Sequence, residues 1–353
     1  MAAIIDDAKL QQFIGKMLGD LGATTTAALV IVGDRTGLYR ALDELGPQTP
    51  GDLASATGTD PRYVREWCAN QAASGYLEYD SASGRYALPP EHAMVLARED
   101  SPMNMQGAFE IAQTLMRDEP KITSAFREGT GVGWHEHDPQ LYAATARFFR
   151  PSYTANIVSS WIPALDGVEA ELKKGIDVAD VGCGFGISTT IMARAYPNSR
   201  FVGLDYHTPS ITSARALAER EGVGDRIEFQ SAGAQDFEGT YDFVTLFDCL
   251  HDMGDPLGAM RHIREALRAD GTLMIVEPFA NDRFEDNMNP VGRIYFAAST
   301  MLCTPSAKSQ SGGYALGAQA GEARMRGIAM EAGFASFRRA AETPFNIVYE
   351  AKP

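Results

Sequence analysis

The chain has 353 residues, a length that favours two domains, and its 45% hydrophobic and 22% charged residues are typical of a globular protein with a sizeable core. Its formal net charge of -15 argues against a general nucleic-acid or anionic-membrane binder, because both partners attract basic surfaces. The acidic start "MAAIIDDAKL" predicts no signal peptide, and no apolar stretch approaches the roughly 20 residues of a transmembrane helix. The four cysteines are widely spaced. We therefore expect reduced thiols in a cytoplasmic protein with no membrane partner.

The first hundred residues predict a small helical module that ends in a β-hairpin. Helical periodicity covers residues 24–46, Thr49 supplies an N-cap for a second helix, and a third helix begins near Pro61. The segments "YLEYD" and "RYALP" then predict two strands joined by a turn that contains glycine. Three helices followed by a two-stranded wing are the element order of a winged helix-turn-helix domain.

The charge of this module disfavours DNA binding. Residues 1–100 hold 8 Lys and Arg against 14 Asp and Glu, and Asp60 and Glu66 offset Arg62 and Arg65 on the third helix. A DNA-reading module normally presents a basic face. We therefore predict no nucleic-acid partner and a dimerisation or substrate-capping role, with a cofactor-sensing transcriptional regulator as the alternative.

The rest of the chain predicts a helical connector and then an α/β domain. Residues 101–172 are mainly helical in pattern and form a connector and substrate-pocket region. Residues 173–353 alternate short β-rich segments with helices, which predicts a parallel sheet covered on both faces. The last two segments adjoin, which predicts one antiparallel strand near the sheet edge. The seven segments are "DVADV", "RFVGLD", "RIEFQ", "YDFVTLF", "TLMIVE", "SFRRA" and "NIVYE".

A glycine-rich turn, "VADVGCGFGIST" at residues 178–189, follows the first of these strands. Gly182, Gly184 and Gly186 let a ligand approach the backbone, and the helix that follows offers unpaired N–H groups. The third glycine lies one residue early for the dinucleotide pattern GxGxxG. Asp180 before the turn suits a cationic ligand better than a pyrophosphate. The alternative is a loop that only packs a helix on a strand.

Carboxylates follow the second and third strands as well. Asp205 is placed to accept both hydroxyls of a ribose, and Tyr206 to pack on an adenine face. Asp236 suits an adenine amino group beside the aromatic Phe237, although a solvated turn residue is the alternative for Asp236. Together these positions predict a nucleoside site along one edge of the sheet.

The ordered motifs "DVGCGFG", "GLDYH", "GAQDF", "LFDCLHDMGDP" and "LMIVEP", within residues 140–353, resemble those of class I S-adenosylmethionine-dependent methyltransferases. The resemblance implies a Rossmann-like seven-stranded methyltransferase sheet, mostly parallel with one antiparallel strand, and S-adenosyl-L-methionine as the cofactor. It also implies that residues after strand four wall the cofactor. The implied cofactor-binding residues are Asp180, Gly182, Cys183, Gly184, Gly186, Asp205, Tyr206, Gln235, Asp236, Phe237, Phe247 and Asp248.

The whole chain also resembles a narrower, actinobacterial and mycobacterial-type family of small-molecule methyltransferases. These proteins carry an N-terminal winged-helix domain and a tail similar to "LGAQAGEARMRGIAMEAGFASFRRAAETPFNIVYEAKP". The resemblance implies a homodimer and a small-molecule acceptor, and it leaves the identity of that acceptor open.

The segment "CLHDMGDPLGAMRHIREALRADGTLMIVEP" resembles plant-type O-methyltransferases, in which a His-Asp pair deprotonates the acceptor and a Glu orients the His. The matching catalytic residues are His251, Asp252 and Glu277. Imidazole titrates near neutrality, and a hydroxyl becomes a good nucleophile once its proton leaves. Met253 stands where those enzymes usually have Trp, so pocket lining or helix capping remain alternatives for His251. Either Asp252 or Asp255 is expected to cap the next helix.

Trp134, Tyr153 and Met301 are predicted to line the substrate pocket, and Cys303 has a similar pattern. His135 and His137 lack an evident third ligand, so no metal site is predicted. The sequence thus predicts O-methylation of a small, hydrophobic or aromatic molecule. Non-methylating chemistry on the same fold is a further alternative.

Overall fold

The computed structural model describes residues 5–353, and they form two compact units. The first unit runs up to Gln113 and includes Arg147–Pro151, and the second comprises Thr114–Ala146 and Ser152–Pro353. The predicted division at residues 100 and 172 stays a prediction. Within the described residues, no helix combines the length and hydropathy that a membrane crossing requires.

The first unit contains the predicted helices and hairpin. Its elements are α1 (Asp7–Arg35), α2 (Leu38–Leu45), α3 (Pro50–Thr57), α4 (Pro61–Ala73), β1 (Glu78–Asp80), β2 (Arg85–Ala87) and α5 (Pro90–Leu96), with α6 (Gln106–Glu128) following. Strands β1 and β2 pair antiparallel, with Glu78 opposite Ala87. The Thr49 side chain accepts a hydrogen bond from Asp52 N, as the predicted N-cap of α3 requires. The predicted winged helix-turn-helix order is therefore confirmed.

The prediction of a single helix over residues 24–46 was wrong. The first helix begins at Asp7, where Asp6 caps it, and it ends at Arg35. A second helix starts at Leu38 after Gly37, whose φ of 73° lies in the left-handed region. A residue in that conformation breaks a right-handed helix, and glycine adopts it without steric cost.

The core of the first unit depends on close packing between α1 and α4. The Trp67 and Tyr39 rings meet edge to face with centroids 5.0 Å apart, and Trp67 Nε1 donates to Leu29 O at 2.9 Å. Gly33 allows this approach, because a Cβ there would lie 2.5 Å from Trp67 Cζ2 and 2.8 Å from Tyr39 Cε2. The position thus requires glycine for packing.

The second unit is an α/β domain around one mixed sheet. Its elements are α7 (Gln140–Asn156), α8 (Val168–Lys174), β3 (Asp177–Val181), α9 (Ile187–Ala195), β4 (Arg200–Asp205), α10 (Thr208–Arg220), β5 (Ile227–Ser231), β6 (Tyr241–Phe247), α11 (Pro256–Ala266), β7 (Leu267–Pro278), α12 (Pro290–Ala298), α13 (Thr304–Ser309), α14 (Glu322–Glu331), β8 (Ser336–Glu342) and β9 (Asn346–Lys352). The strand order is β5-β4-β3-β6-β7-β9-β8. Strand β9 is antiparallel to both neighbours, and the remaining pairs are parallel, which confirms the predicted fold class.

This topology fixes the place of the chemistry. Strands β3, β4, β6 and β7 run in the same direction, so the loops at their carboxyl ends share one edge of the sheet. In open α/β sheets, ligands bind at that edge. Below it, the buried interior of the strands packs against α11 and α14 in one hydrophobic cluster.

We expect Gly33→Ala to destabilise the first unit by about 1–3 kcal/mol, because the added methyl group overlaps packed aromatic rings. Gly22→Ala on the same helix is the control, since its Cβ would meet nothing within 4 Å and alanine favours a helix by up to about 1 kcal/mol over glycine. Thermal unfolding of both variants and the wild type is the measurement. Equal melting temperatures for the two variants would contradict the packing argument.

Candidate active site

The glycine-rich turn after β3 combines tight packing with one open position. Gly182, Gly184 and Gly186 have φ values of 75°, 53° and 72°. A Cβ on Gly182 would lie 2.7 Å from Cys249 Sγ, and one on Gly186 would lie 2.8 Å from Phe229 Cζ. A Cβ on Gly184 would meet nothing within 4 Å. Two of the glycines are thus needed for packing, and the middle one leaves its face free for a ligand.

Asp180 anchors this turn from below. It is 1% exposed, and it accepts hydrogen bonds from Ser188 Oγ and Thr189 Oγ1 at 2.6 Å and from Thr245 Oγ1 at 2.9 Å. Burial raises the pKa of this carboxyl, and the three hydroxyl donors act in the opposite direction. Asp180 therefore fastens α9 and β6 to the turn. Its predicted contact with a cationic ligand stays a prediction.

Asp205 lies at the end of β4 with acceptor capacity to spare. Its Oδ2 accepts from Gly184 N at 2.9 Å, and its Oδ1 accepts from His207 N at 2.8 Å. Burial raises the pKa of the carboxyl, whereas the two backbone N–H groups lower it. Each oxygen keeps a further lone pair. The arrangement suits a diol, which donates one hydrogen bond to each oxygen.

An aromatic group that the sequence did not predict adjoins Asp205. The Tyr142 ring stacks on His207 with centroids 4.3 Å apart and lies parallel to Phe185 at 6.4 Å. Within the described residues the buried Tyr142 hydroxyl has no hydrogen-bond partner. The predicted Tyr206 is 52% exposed. Tyr142 comes from a helix far from the motifs, so no sequence signal indicated it.

The predicted adenine residues occupy different environments. Gln235 and Asp236 are exposed in the loop after β5, where Gln235 Nε2 donates to Asp255 Oδ2 at 2.8 Å. Phe237 is buried in the core, with its ring 4.5 Å from that of His262. Cys183, between Gly182 and Gly184 in the glycine-rich turn, is also buried. The assignment of these residues to a cofactor stays a prediction.

Asp248 carries the most perturbed backbone of the site. Its φ is 49°, a value that residues other than glycine seldom adopt. Its carboxylate accepts from Tyr153 Oη at 2.7 Å and from Asn346 Nδ2 at 2.9 Å. Burial, reinforced by the charge of Glu277, raises the pKa of Asp248 to about 8. The structure thus brings the predicted Tyr153 to Asp248, and it adds Asn346, which the sequence did not indicate.

Phe247, predicted to wall the cofactor beside Asp248, is buried at the end of β6. Its ring centroid lies 5.2 Å from that of Tyr153 and 6.3 Å from that of Trp161. These aromatic rings pack around the strand end, next to the half-buried Asp248.

His251 and Glu277 form a buried pair between the ends of β6 and β7. His251 Nδ1 lies 2.5 Å from Glu277 Oε2, and Glu277 Oε1 accepts from Leu250 N at 3.1 Å. The other ring nitrogen, Nε2, lies 3.2 Å from Asp252 Oδ1. Burial lowers the pKa of His251, but the charges of Glu277 and Asp252 outweigh it and raise that pKa well above 6.5. The three predicted catalytic residues are therefore brought together.

Asp252 faces the loop that carries Trp134. Trp134 Nε1 donates to Asp252 Oδ2 at 3.0 Å, so this predicted pocket residue lies at the same site. The question of the helix cap is settled, because Asp255 Oδ1 accepts from Gly258 N at 2.8 Å and caps α11. Asp252 is therefore not the cap of α11, and its carboxylate contacts Trp134 instead.

The segment after α12 completes the surroundings. Residues Ser299–Cys303 form a π-helical turn, a feature often found at functional sites. Cys303 Sγ lies within 4.8 Å of ligand atoms of both His251 and Asp252. Met301 packs beside the cluster of Ile122, Ala125 and Val132. Its place in a substrate pocket stays a prediction.

The two histidines of the "GWHEHDP" loop have different surroundings. His137 is buried, and its Nδ1 lies 2.9 Å from Asp118 Oδ2. His135 is exposed. His137 is therefore held in place by a hydrogen bond with Asp118.

Two family models match the chain. Residues 24–98 match the Rv2258c-like winged HTH domain, and residues 172–316 match a methyltransferase domain. The first segment is therefore similar to a winged helix-turn-helix domain, and the second is similar to a methyltransferase domain. Both matches agree with the domain types expected from the sequence motifs.

One curated relative is similar over most of the chain. O-demethylpuromycin-O-methyltransferase of Streptomyces alboniger is 25% identical over 353 residues, which cover 89% of this chain and 86% of that protein. Three further curated relatives are matched over 24% to 44% of their own length, so the chain spans less than half of each.

Two solved structures are similar over nearly the whole chain. The mitomycin 7-O-methyltransferase MmcR is 19% identical with a TM-score of 0.72, over 98% of this chain and 99% of that one. Human N-acetylserotonin methyltransferase, solved in complex with SAM, is 16% identical with a TM-score of 0.70, over 100% and 99%. At these identities the likeness shows the fold alone.

Asp248 generates a prediction about pH. A carboxyl whose pKa rises from 3.8 in the unfolded chain to about 8 in the folded one takes up a proton on folding between those values. Its contribution to stability is therefore full below pH 3.8 and is lost as the pH rises through 8. Between pH 6 and 8.5, we expect wild type to lose stability relative to Asp248→Asn, by several kcal/mol at most. Urea unfolding at both pH values measures this, and parallel pH profiles for the two proteins would contradict it.

Proposed function

We propose that this protein transfers a methyl group from S-adenosyl-L-methionine to a hydroxyl of a small, hydrophobic or aromatic molecule. The observation that carries the proposal is the buried His251–Glu277 pair, located at the same sheet edge as the glycine-rich turn and Asp205. A base beside a nucleoside-type site is what O-methylation requires. The solved relative in complex with SAM and the relatives named as O-methyltransferases support both the cofactor and the reaction.

The residues present fit this cofactor. The open face of Gly184 leaves room for a ligand, Asp205 has a free lone pair on each oxygen for two ribose hydroxyls, and the orphaned Tyr142 hydroxyl adjoins it. The stacked ring of His207 offers an aromatic surface near the same carboxylate. We assign ribose binding to Asp205 and backbone contact to Gly182 and Gly184.

The bound cofactor would supply an electrophilic methyl group. His251 Nε2, in the neutral form of the ring, would take the proton from the acceptor hydroxyl while the oxygen forms a bond to the methyl carbon. The electron pair of the carbon–sulfur bond that breaks would stay with the cofactor sulfur. Glu277 holds Nδ1 and thereby fixes the orientation of the ring. The nearby carboxylates of Glu277 and Asp252 stabilise the imidazolium that results from proton transfer.

The acceptor class follows from the surroundings of the base. Trp134 borders Asp252, and the rings of Tyr153 and Phe247 line the neighbouring strand end. Three of the similar proteins are named as methyltransferases of mitomycin, O-demethylpuromycin and N-acetylserotonin, which are small molecules. A small molecule with an aromatic or apolar ring is therefore the acceptor that we propose.

We expect His251→Gln to lower the turnover of an accepted hydroxyl compound by about 10²- to 10⁴-fold, the usual contribution of a positioned base. Cofactor affinity, measured by calorimetry, should stay unchanged because His251 lies outside the glycine-rich turn and Asp205. The assay follows a mass gain of one methylene group across a panel of phenolic small molecules. His92→Gln in the first unit is the control and should keep full turnover.

Three results would contradict these assignments. Turnover that His251→Gln leaves unaffected would exclude the base. A cofactor that shows no calorimetric binding to the wild type would exclude the methyltransferase itself. A product that forms without gaining a methylene group would indicate non-methylating chemistry on the same fold.

We also propose that the protein forms a homodimer through α1. Exposed apolar side chains recur on this helix at spacings of three and four residues, which places them on one face. The residues are Leu10, Phe13, Ile14, Met17, Leu18 and Leu21. An apolar face of this kind in contact with water marks an interaction site, and a second copy offers the same face in a two-fold arrangement.

Replacing Phe13 and Leu18 together by Asp should convert a dimer into a monomer, because two charges in an apolar interface lose their hydration. Light scattering after size-exclusion chromatography measures the mass. Gln12→Asp, on the opposite side of the helix, is the matched control and should leave the mass unchanged. A monomeric wild type, or a double variant that stays dimeric, would contradict the interface.

A further inference from the structure

His251, Asp252 and Cys303 bring one nitrogen, one oxygen and one sulfur ligand atom to the same buried place. These ligand atoms all lie within 4.8 Å of one another, and Nε2 and Oδ1 are 3.2 Å apart. A tetrahedral zinc ion with bonds of about 2.0–2.3 Å needs ligand atoms roughly 3.3–3.7 Å apart. The three side chains are therefore close to the spacing that a metal ion requires.

The surroundings of the histidine favour coordination through Nε2. When the ring is neutral and Nδ1 donates its proton to Glu277 Oε2, the lone pair lies on Nε2. In metal sites, a ligating histidine almost always has its second nitrogen held by a carboxylate or a carbonyl group in this manner. Glu277 is itself held by Leu250 N. The outer shell of a histidine ligand is thus already present.

The surroundings of the aspartate are equally suited. Trp134 Nε1 holds Oδ2, which fixes the orientation of the carboxylate. Oδ1 is buried, lies 3.2 Å from His251 Nε2 and is within 4.8 Å of Cys303 Sγ. A carboxylate oxygen, an imidazole nitrogen and a sulfur that converge in this way form a set of metal ligands. A cation bound between Oδ1, Nε2 and Cys303 Sγ would offset the charge of the buried carboxylate.

The donor set selects the kind of metal. Imidazole and thiolate are preferred by zinc and similar transition metals, whereas magnesium and calcium prefer oxygen ligands alone. Three protein ligands leave the fourth tetrahedral position open for water or a hydroxyl. The side chains of all three ligands are largely buried, which strengthens their interaction with a dication.

We propose that His251, Asp252 and Cys303 form a binding site for Zn²⁺, and that the bound ion inhibits the enzyme. Coordination forms a bond from sulfur to zinc, and the thiol proton leaves to solvent. The ion then occupies Nε2, the nitrogen that would accept the proton of the methyl acceptor. This inhibitory consequence, unlike the binding itself, rests on the proposed function.

Cobalt is the probe for binding, because a thiolate bound to Co²⁺ gives a charge-transfer absorption band in the near ultraviolet. Metal-free wild type titrated with Co²⁺ should develop this band at one equivalent, and Zn²⁺ should abolish it by displacement. Cys303→Ala should lack the band and bind Zn²⁺ at least tenfold more weakly. Cys68→Ala, which removes another buried cysteine in the first unit, is the matched control and should keep the band.

A wild type without the band, or a band that persists in Cys303→Ala, would overturn the site. Cys303→Ser, which nearly preserves the side-chain volume, serves as the second variant should the alanine variant fail to fold, and it should also lack the thiolate band. In the methyl-transfer assay, Zn²⁺ should inhibit wild type, and a chelator should restore its turnover. Absence of turnover before zinc is added would count against the proposed function alone, because the cobalt spectrum does not depend on it.

Discussion

Four carboxylates at one edge of a buried sheet set the main constraint on this structure. Asp180, Asp205, Asp248 and Glu277 lie at or just beyond the carboxyl ends of β3, β4, β6 and β7. Like charges that share a poorly hydrated region repel each other, so each requires its own donors. Hydroxyl groups donate to Asp180, backbone N–H groups donate to Asp205, and an imidazole contacts Glu277. A tyrosine hydroxyl and an asparagine amide donate to Asp248. The fold is therefore compatible with this edge only because every acid has a dedicated partner.

These partners divide the edge into two chemical halves. On the side of β3 and β4, the donors are neutral, and the remaining acceptor capacity faces outward toward a polyhydroxyl ligand. On the side of β6 and β7, the donor is a titratable ring, which can exchange a proton. The two types of donor therefore lie on neighbouring pairs of strands, as the proposed separation of ligand binding and proton transfer requires. Asp248 lies between them, and burial together with the charge of Glu277 raises its pKa.

The sequence was most informative where local pattern determines structure. Apolar segments such as "YDFVTLF" coincide with β6, because a strand buried on both faces reads as a continuous apolar run. The resemblance to plant-type O-methyltransferases predicted His251, Asp252 and Glu277 as a group, and the parallel strands β6 and β7 bring them to one edge. The break at Gly37 was missed because the helical pattern continues across it and only the backbone conformation reveals the interruption.

Other parts of the site depend on contacts between distant segments, which a single sequence does not encode in any local pattern. Tyr142 reaches His207 from another helix, and Asn346 reaches Asp248 from β9. The sequence left Asp252 and Asp255 as rival helix caps, and only the hydrogen bond to Gly258 N distinguishes them. The sequence suggested Cys303 as a pocket residue, which stays a prediction, and its closeness to His251 follows from a π-helical turn that has no clear sequence signature.

The register between β6 and β7 determines the relative position of His251 and Glu277. Phe247 lies opposite Val276, and this register carries His251 and Glu277 to the same height above the sheet. Side chains alternate between the faces of a strand, so a shift by one residue would send Glu277 to the opposite face. Substitutions within these strands change packing by degrees, whereas the loss or gain of one residue within the paired part of β6 or β7 would change which face Glu277 occupies relative to His251. The spacing of this segment, more than its composition, is what an engineer of this protein must preserve.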